Sequence, residues 1–217
     1  MDTNTKIIMA AIGIAALGAI AYTQLPKGGP DAMSGMNTVS AHAPASTQAY
    51  ETVMAGMMKS MMTPLTGKAD LDFMQNMIPH HQGAIDMSKA VLQYGKDAEV
   101  KSLAENVIKA QESEIAMLKA WLEKTDQNTL AVTPDSMKGN EQAMATMAKN
   151  TMVPYAGDAD VDYVKNMIPH HQGAIDMAKV ALQFAKDPEV LNLAQDVVTA
   201  QESEIVFMTG WLAKNEK

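Results

Sequence analysis

Cysteine is absent from the 217 residues, which excludes a disulfide, a thiolate nucleophile and a thiolate metal site. Arginine is absent as well, since all 17 basic residues are lysine. The chain therefore lacks the planar side chain that reads phosphates and carboxylates bidentately. A net charge of −8 offers no basic face to offset phosphate, so nucleic acid is excluded as a partner. No G-x-S-x-G, P-loop or other hydrolytic constellation occurs. No segment alternates with period 2, so strands are not expected. Aromatic residues make up only 5%.

Methionine fills the gap. There are 20 methionines against 13 leucines, although leucine is ordinarily among the commonest residues. The apolar share of 47% is that of a globular chain, and the length allows one sizeable core or two small ones. That core is built from flexible, polarizable side chains.

Residues 7–22, "IIMAAIGIAALGAIAY", form an apolar run after Lys6. It is short for a membrane span, which needs roughly 20 residues. It ends in the small-x-small pattern Ala19–Ala21, so residues 1–21 read as a cleaved export signal. The competing reading is an uncleaved anchor, because Asp2 weakens the positive n-region; the membrane is an expected partner only in that case. Either reading delivers the protein to a periplasmic or extracellular location, which suits a chain without cysteine. Residues 22–49, rich in Gly, Pro, Ser, Thr and Ala, read as a flexible linker. Met33, Met36 and His42 within it read as incidental, with weak extra ligands as the alternative.

Residues 50–217 read as one helical domain. A shift of 90 residues aligns the chain with itself without a gap, and 33 of the 55 positions in 70–124 recur in 160–214. That is an internal duplication, with repeat one at 50–124 and repeat two at 140–214. Each repeat opens with a methionine-bearing segment, "ETVMAGMMKSMMTP" (51–64) or "EQAMATMAKNTMVP" (141–154). Met54, Met57, Met58, Met61 and Met62 share one helical face. Repeat two keeps Met144, Met147 and Met152, with Ala148 and Thr151 at the other two positions. Two long helices follow in each repeat, the first capped by Asp70 and the next by Asp97 or Asp187. The expected fold class is all-α: a four-helix bundle of two tandem αα-hairpins, each preceded by a Met-rich helix.

The stretch "NMIPHHQGAIDM" stands at 76–87 and again at 166–177. Spacing at 100° per residue puts His81 and His171 near the centre of the apolar stripe and His80 and His170 on its flank. Met77 and Met87, with Met167 and Met177, lie beside them. On the facing helix Gln111 and Glu114, repeated as Gln201 and Glu204, fall inside the apolar stripe. A carboxylate there requires a buried partner, so His81 is expected to meet Glu114 or Gln111, and His171 to meet Glu204 or Gln201. Pro79 and Pro169 each remove a helical hydrogen bond beside the histidines, so a kink is expected.

A Met stripe at helical spacing is more often core than ligand set, and a histidine on an apolar face is usually a satisfied core residue. Here thioether and imidazole recur together, a soft to borderline donor set that selects Cu(I) and, by the same logic, Ag(I). Copper is therefore the expected ion, as Cu(I) first and Cu(II) second. The expected ligands are Met54, Met57, Met58, Met61, Met62, Met77, His80, His81, Met87, Met144, Met147, Met152, Met167, His170, His171 and Met177. Gln111, Glu114, Gln201 and Glu204 stand behind them. Iron in a carboxylate-bridged pair would need Glu-x-x-His on two helices, but Met77 and Ile78 occupy the positions three before His80 and His81. Zinc would leave the methionines without a purpose. A di-metal oxidase and a metal-free interaction module remain the alternatives.

"DFMQNMIPHHQGAIDMSKA" followed by "AQESEIAMLKAWL" resembles the exported bacterial family catalogued as domain of unknown function 305. Its hallmark is the His-His pair after Met-Ile-Pro. The resemblance covers 70–124 and 160–214 and implies a ferritin-like four-helix bundle. It carries over to His80, His81, His170 and His171, and to Met77 and Met167. The Met-rich first helix fits a periplasmic, copper-binding branch of that family linked to copper resistance. The resulting expectation is an exported, non-enzymatic copper protein for sequestration and transfer. Its partners would be copper ions and a copper exporter or periplasmic metallochaperone.

Overall fold

In the computed structural model of the chain, residues 42–151 and 153–215 are described. The expected export signal, Met33, Met36 and Met152 lie outside them. Six α-helices follow one another in two sets of three: α1 (Ala45–Ser60), α2 (Ala69–Tyr94), α3 (Ala98–Lys124), α4 (Pro134–Asn150), α5 (Ala159–Phe184) and α6 (Pro188–Asn215). No strand occurs among the described residues, and no described helix is long and apolar enough to cross a membrane.

Short connections make α2 and α3 one antiparallel hairpin and α5 and α6 another. Asp97 caps α3 as expected, accepting from Glu99 N and Val100 N. The hairpins meet through α2 and α5, while α1 lies on α2 and α4 on α5. One continuous core of buried residues runs through both repeats, with Trp121, Phe73, Tyr163 and many methionines among them. The protein is a helical bundle, and the two copies pack as one domain because either hairpin alone would leave its apolar face wet.

Two expectations at the helix ends are corrected. Asp70 does not cap α2: the helix starts at Ala69 after Lys68. Buried in the first turn, Asp70 accepts instead from Lys186 N and Asp187 N, the loop that opens α6. Asp160 does the same for Lys96 N and Asp97 N. Each repeat thus holds the hairpin loop of the other by a charge-assisted pair of bonds. The linker also ends earlier than expected, for α1 begins at Ala45. Thr47 Oγ1 reaches Asp162 at 3.3 Å and Tyr50 OH donates to Ala159 O at 2.9 Å, so tertiary contacts order a stretch whose composition reads as a tether.

Gly67 and Gly157, 90 positions apart, have φ of +75° and +83°, a left-handed turn that admits glycine without strain. Their N–H groups donate to Asp72 and Asp162. These turns lead from α1 into α2 and from α4 into α5, beside the candidate site.

Candidate metal centre

The helix α2 is buried on two sides, and the adjacent histidines divide between them. His81 faces α3, where its Nε2 lies 2.6 Å from Glu114 Oε2, at an angle that is off-line for a hydrogen bond. His171 faces α6, with Nε2 at 2.5 Å from Glu204 Oε2. The expected His–Glu contacts are present in both copies. His80 and His170 face each other across the α2–α5 contact, with ring centroids 3.8 Å apart and planes tilted by 42°. His170 Nε2 lies 3.1 Å from the carbonyl oxygen of His80. The flank position expected for His80 and His170 therefore does not leave them at an edge. All four rings are wholly buried, because α5 covers the flank of α2. Both helices run unbroken through Pro79 and Pro169.

Burial and the neighbouring histidines hold His80 and His170 well below the ordinary histidine value of 6.5; desolvation is the larger cause. These two rings are neutral at pH 7. A carbonyl or carboxylate oxygen accepts only, so His170 and His171 carry the hydrogen on Nε2, and His81 turns Nε2 toward Glu114. In the neutral His170 ring Nδ1 is then the nitrogen left to present a lone pair. The Nδ1 atoms of all four histidines are buried without a partner, as is Nε2 of His80. Unpartnered buried nitrogen is costly, which makes these atoms candidate donors.

Thioethers approach from the outer helices. A Cβ at Gly83 would meet Met57 Sδ at 2.7 Å, and one at Gly173 would meet Met147 Sδ at 2.7 Å. Each glycine stands three residues after its flank histidine, within one helical turn, and its bare backbone lets the methionine settle there. The sequence offers a signal for this pair: a glycine inside a helical pattern costs stability, yet both copies keep one.

The remaining expected ligands divide by burial. Met54, Met58, Met61, Met77, Met87, Met167 and Met177 are buried, and Met144 is half-buried. Met62 does not share the buried face expected of it with the other four: it is 63% exposed. The helix ends at Ser60 with Met61 as its cap residue, so the chain has left the helical path before Met62. Gln111 and Gln201 are buried with Oε1 unpartnered. Among the described residues, no three histidine or carboxylate side chains converge as a metal-holding group.

The geometry defines a duplicated helical bundle with a buried histidine–methionine core. The chain belongs to the family described as a domain of unknown function, DUF305, whose model matches residues 70–212. CopM in its Ag-bound form is 32% identical, with 71% of this chain and 100% of that chain covered and a TM-score of 0.54. CopM in the Cu(I)-bound form is 33% identical over 68% and 98% of the two chains, with a TM-score of 0.52. A candidate secreted DUF305 protein from Streptomyces coelicolor is 28% identical over 69% and 94%, with a TM-score of 0.55. An uncharacterized protein, L153, of Acanthamoeba polyphaga mimivirus is 44% identical over 53 residues, 24% of this chain. The chain spans about a third of that curated relative, 35% of its length.

Proposed function

We propose that this protein is an exported, non-catalytic carrier of copper, taking up Cu(I) at the buried core formed by His80, His81, His170 and His171 with Met57 and Met147. The observation that carries the reading is the set of four buried, unpartnered Nδ1 atoms. Two thioethers packed on Gly83 and Gly173 support it. Histidine and carboxylate alone make no three-donor group among the described residues, and this reading joins the two thioethers to the imidazoles. Imidazole and thioether favour Cu(I) and Ag(I) over hard ions, and the similar CopM structures hold Ag, Cu(I) and Cu(II). Thioethers also survive an oxidising compartment, where thiols would be lost to disulfides. Sequestration and hand-off to an exporter or metallochaperone follow from a carrier role.

An anaerobic Cu(I) titration of the full chain against a coloured chelator tests this. The protein should withhold copper from the chelator, and X-ray absorption should report mixed nitrogen and sulfur neighbours. A Met57→Leu/Met147→Leu variant, nearly equal in volume, should compete less well and lose the sulfur neighbours. If the unaltered protein does not compete, the four histidines are core residues and the copper reading is lost.

A further inference from the structure

An ion held by four wholly buried histidines has to travel through protein to reach them. Two ways in are visible. One is the carboxylate edge, where the side chains of Glu114 and Glu204 are 15% and 22% exposed. The other is the C-terminal end of α1. Met62 stands there in solvent, while Met58 and Met61 are buried behind it. Met57 comes next and rests on Gly83, three residues from His80. Residues three and four apart are neighbours on a helix surface, so Met61, next to the exposed Met62, neighbours both Met58 and Met57, all three buried. Thioethers are neutral and soft, and a Cu(I) ion can exchange one for the next without being stripped bare. The carboxylate edge would suit a harder, hydrated ion. The second copy lacks this run, because Ala148 and Thr151 stand where Met58 and Met61 do in the first.

We propose that the methionine run Met62, Met61, Met58, Met57 is the entry route by which Cu(I) reaches the histidine core, and that loading begins at the His80 half. The inference rests on the copper reading above and adds a direction to it. It predicts that the two repeats, alike in their histidine pairs, differ in the rate at which copper reaches them.

Stopped-flow transfer of Cu(I) from a coloured chelator to the full chain tests the route, with equilibrium competition measured on the same samples. The variants are Met62→Leu, Met58→Leu/Met62→Leu, Glu114→Gln, and Ala148→Met/Thr151→Met, each checked for helicity. The double leucine variant should load several-fold more slowly, with its equilibrium competition moving far less than its rate. Installing methionines at 148 and 151 should quicken a slower phase of uptake. An unchanged rate in the double leucine variant overturns the route. So does a larger slowing by Glu114→Gln, which would move entry to the carboxylate edge. A loss of rate matched by an equal loss of affinity also overturns it, since these methionines would then be ligands of the final site. Failure of the copper reading has a different signature: the unaltered chain takes no copper at equilibrium.

Discussion

His80 and His170 lie against each other across the α2–α5 contact, 3.8 Å between ring centroids with planes tilted by 42°, and neither ring meets solvent. Two imidazoles that close cannot both be charged without strong repulsion in a medium that screens poorly. The central contact of the bundle thus depends on both rings staying neutral.

That dependence sets a pH profile for the metal-free protein. Folding lowers both histidines below their ordinary value of 6.5, so the unfolded chain is the better proton binder in acid. Stability is complete above that value and falls as pH drops below it, by up to about 1.4 kcal/mol per pH unit for each ring. Urea unfolding between about pH 7.5 and 5.5 should show the decline, reduced in His80→Gln. A profile that is flat across that interval contradicts the neutral stack.

Gly83→Ala should destabilise despite alanine's better helix propensity. The added Cβ would stand 2.7 Å from Met57 Sδ and 3.2 Å from its Cβ, so more than the tip of the side chain has to move. Overpacking of this kind costs ~1–3 kcal/mol, against a propensity gain of ~1 kcal/mol. In a Met57→Ala background the Sδ and Cγ clashes disappear and only the 3.2 Å approach to the Cβ remains, so most of the cost should go. A double-mutant cycle by urea unfolding measures the coupling; additive effects would place Met57 elsewhere.

Ser88 Oγ and Tyr163 OH share a buried hydrogen bond of 2.9 Å, while the matching positions of the other crossing are Ala178 and Phe73. The hydroxyls occur together or not at all. Tyr163→Phe alone strands Ser88 and should cost ~1–3 kcal/mol. Adding Ser88→Ala recreates the Ala178/Phe73 pair and should recover most of the loss. Thermal unfolding of the two variants decides it, and a double variant no better than the single one counts against the pairing.

Asp70→Ala removes the acceptor of two N–H groups in the loop that opens α6, and charge-assisted bonds of this sort are worth ~1.5–3 kcal/mol each. The expected loss is at least ~2 kcal/mol, and amide exchange should quicken at Lys186 and Asp187, in the other repeat. Faster exchange confined to α2 would mean that Asp70 acts only on its own helix.

The helical class, the duplication and the His–Glu contacts were legible in the residues. Helical period places His81 and Glu114 on facing apolar stripes, and a buried carboxylate has few partners open to it. Local patterns served less well at the ends. Asp70 reads as a cap because the signal is local, but its acceptor capacity is used by a loop more than 100 positions away. Residues 45–49 read as linker because composition does not register Thr47 and Tyr50 anchoring on α5. Met62 fits the stripe only if the helix continues, and it stops at Ser60.

By itself, then, the sequence determined the main apolar stripe of each long helix and that the histidine pair and its flanking methionines would recur with the same spacing. Periodicity within a helix dictates that much, since it orders the side chains around one axis. The meeting of His80 with His170, the seating of Met57 on Gly83 and Met147 on Gly173, and the pairing of Ser88 with Tyr163 were decided by tertiary structure alone. Each depends on which helices pack and at what register, a choice made by the shape of the whole core rather than by any one segment.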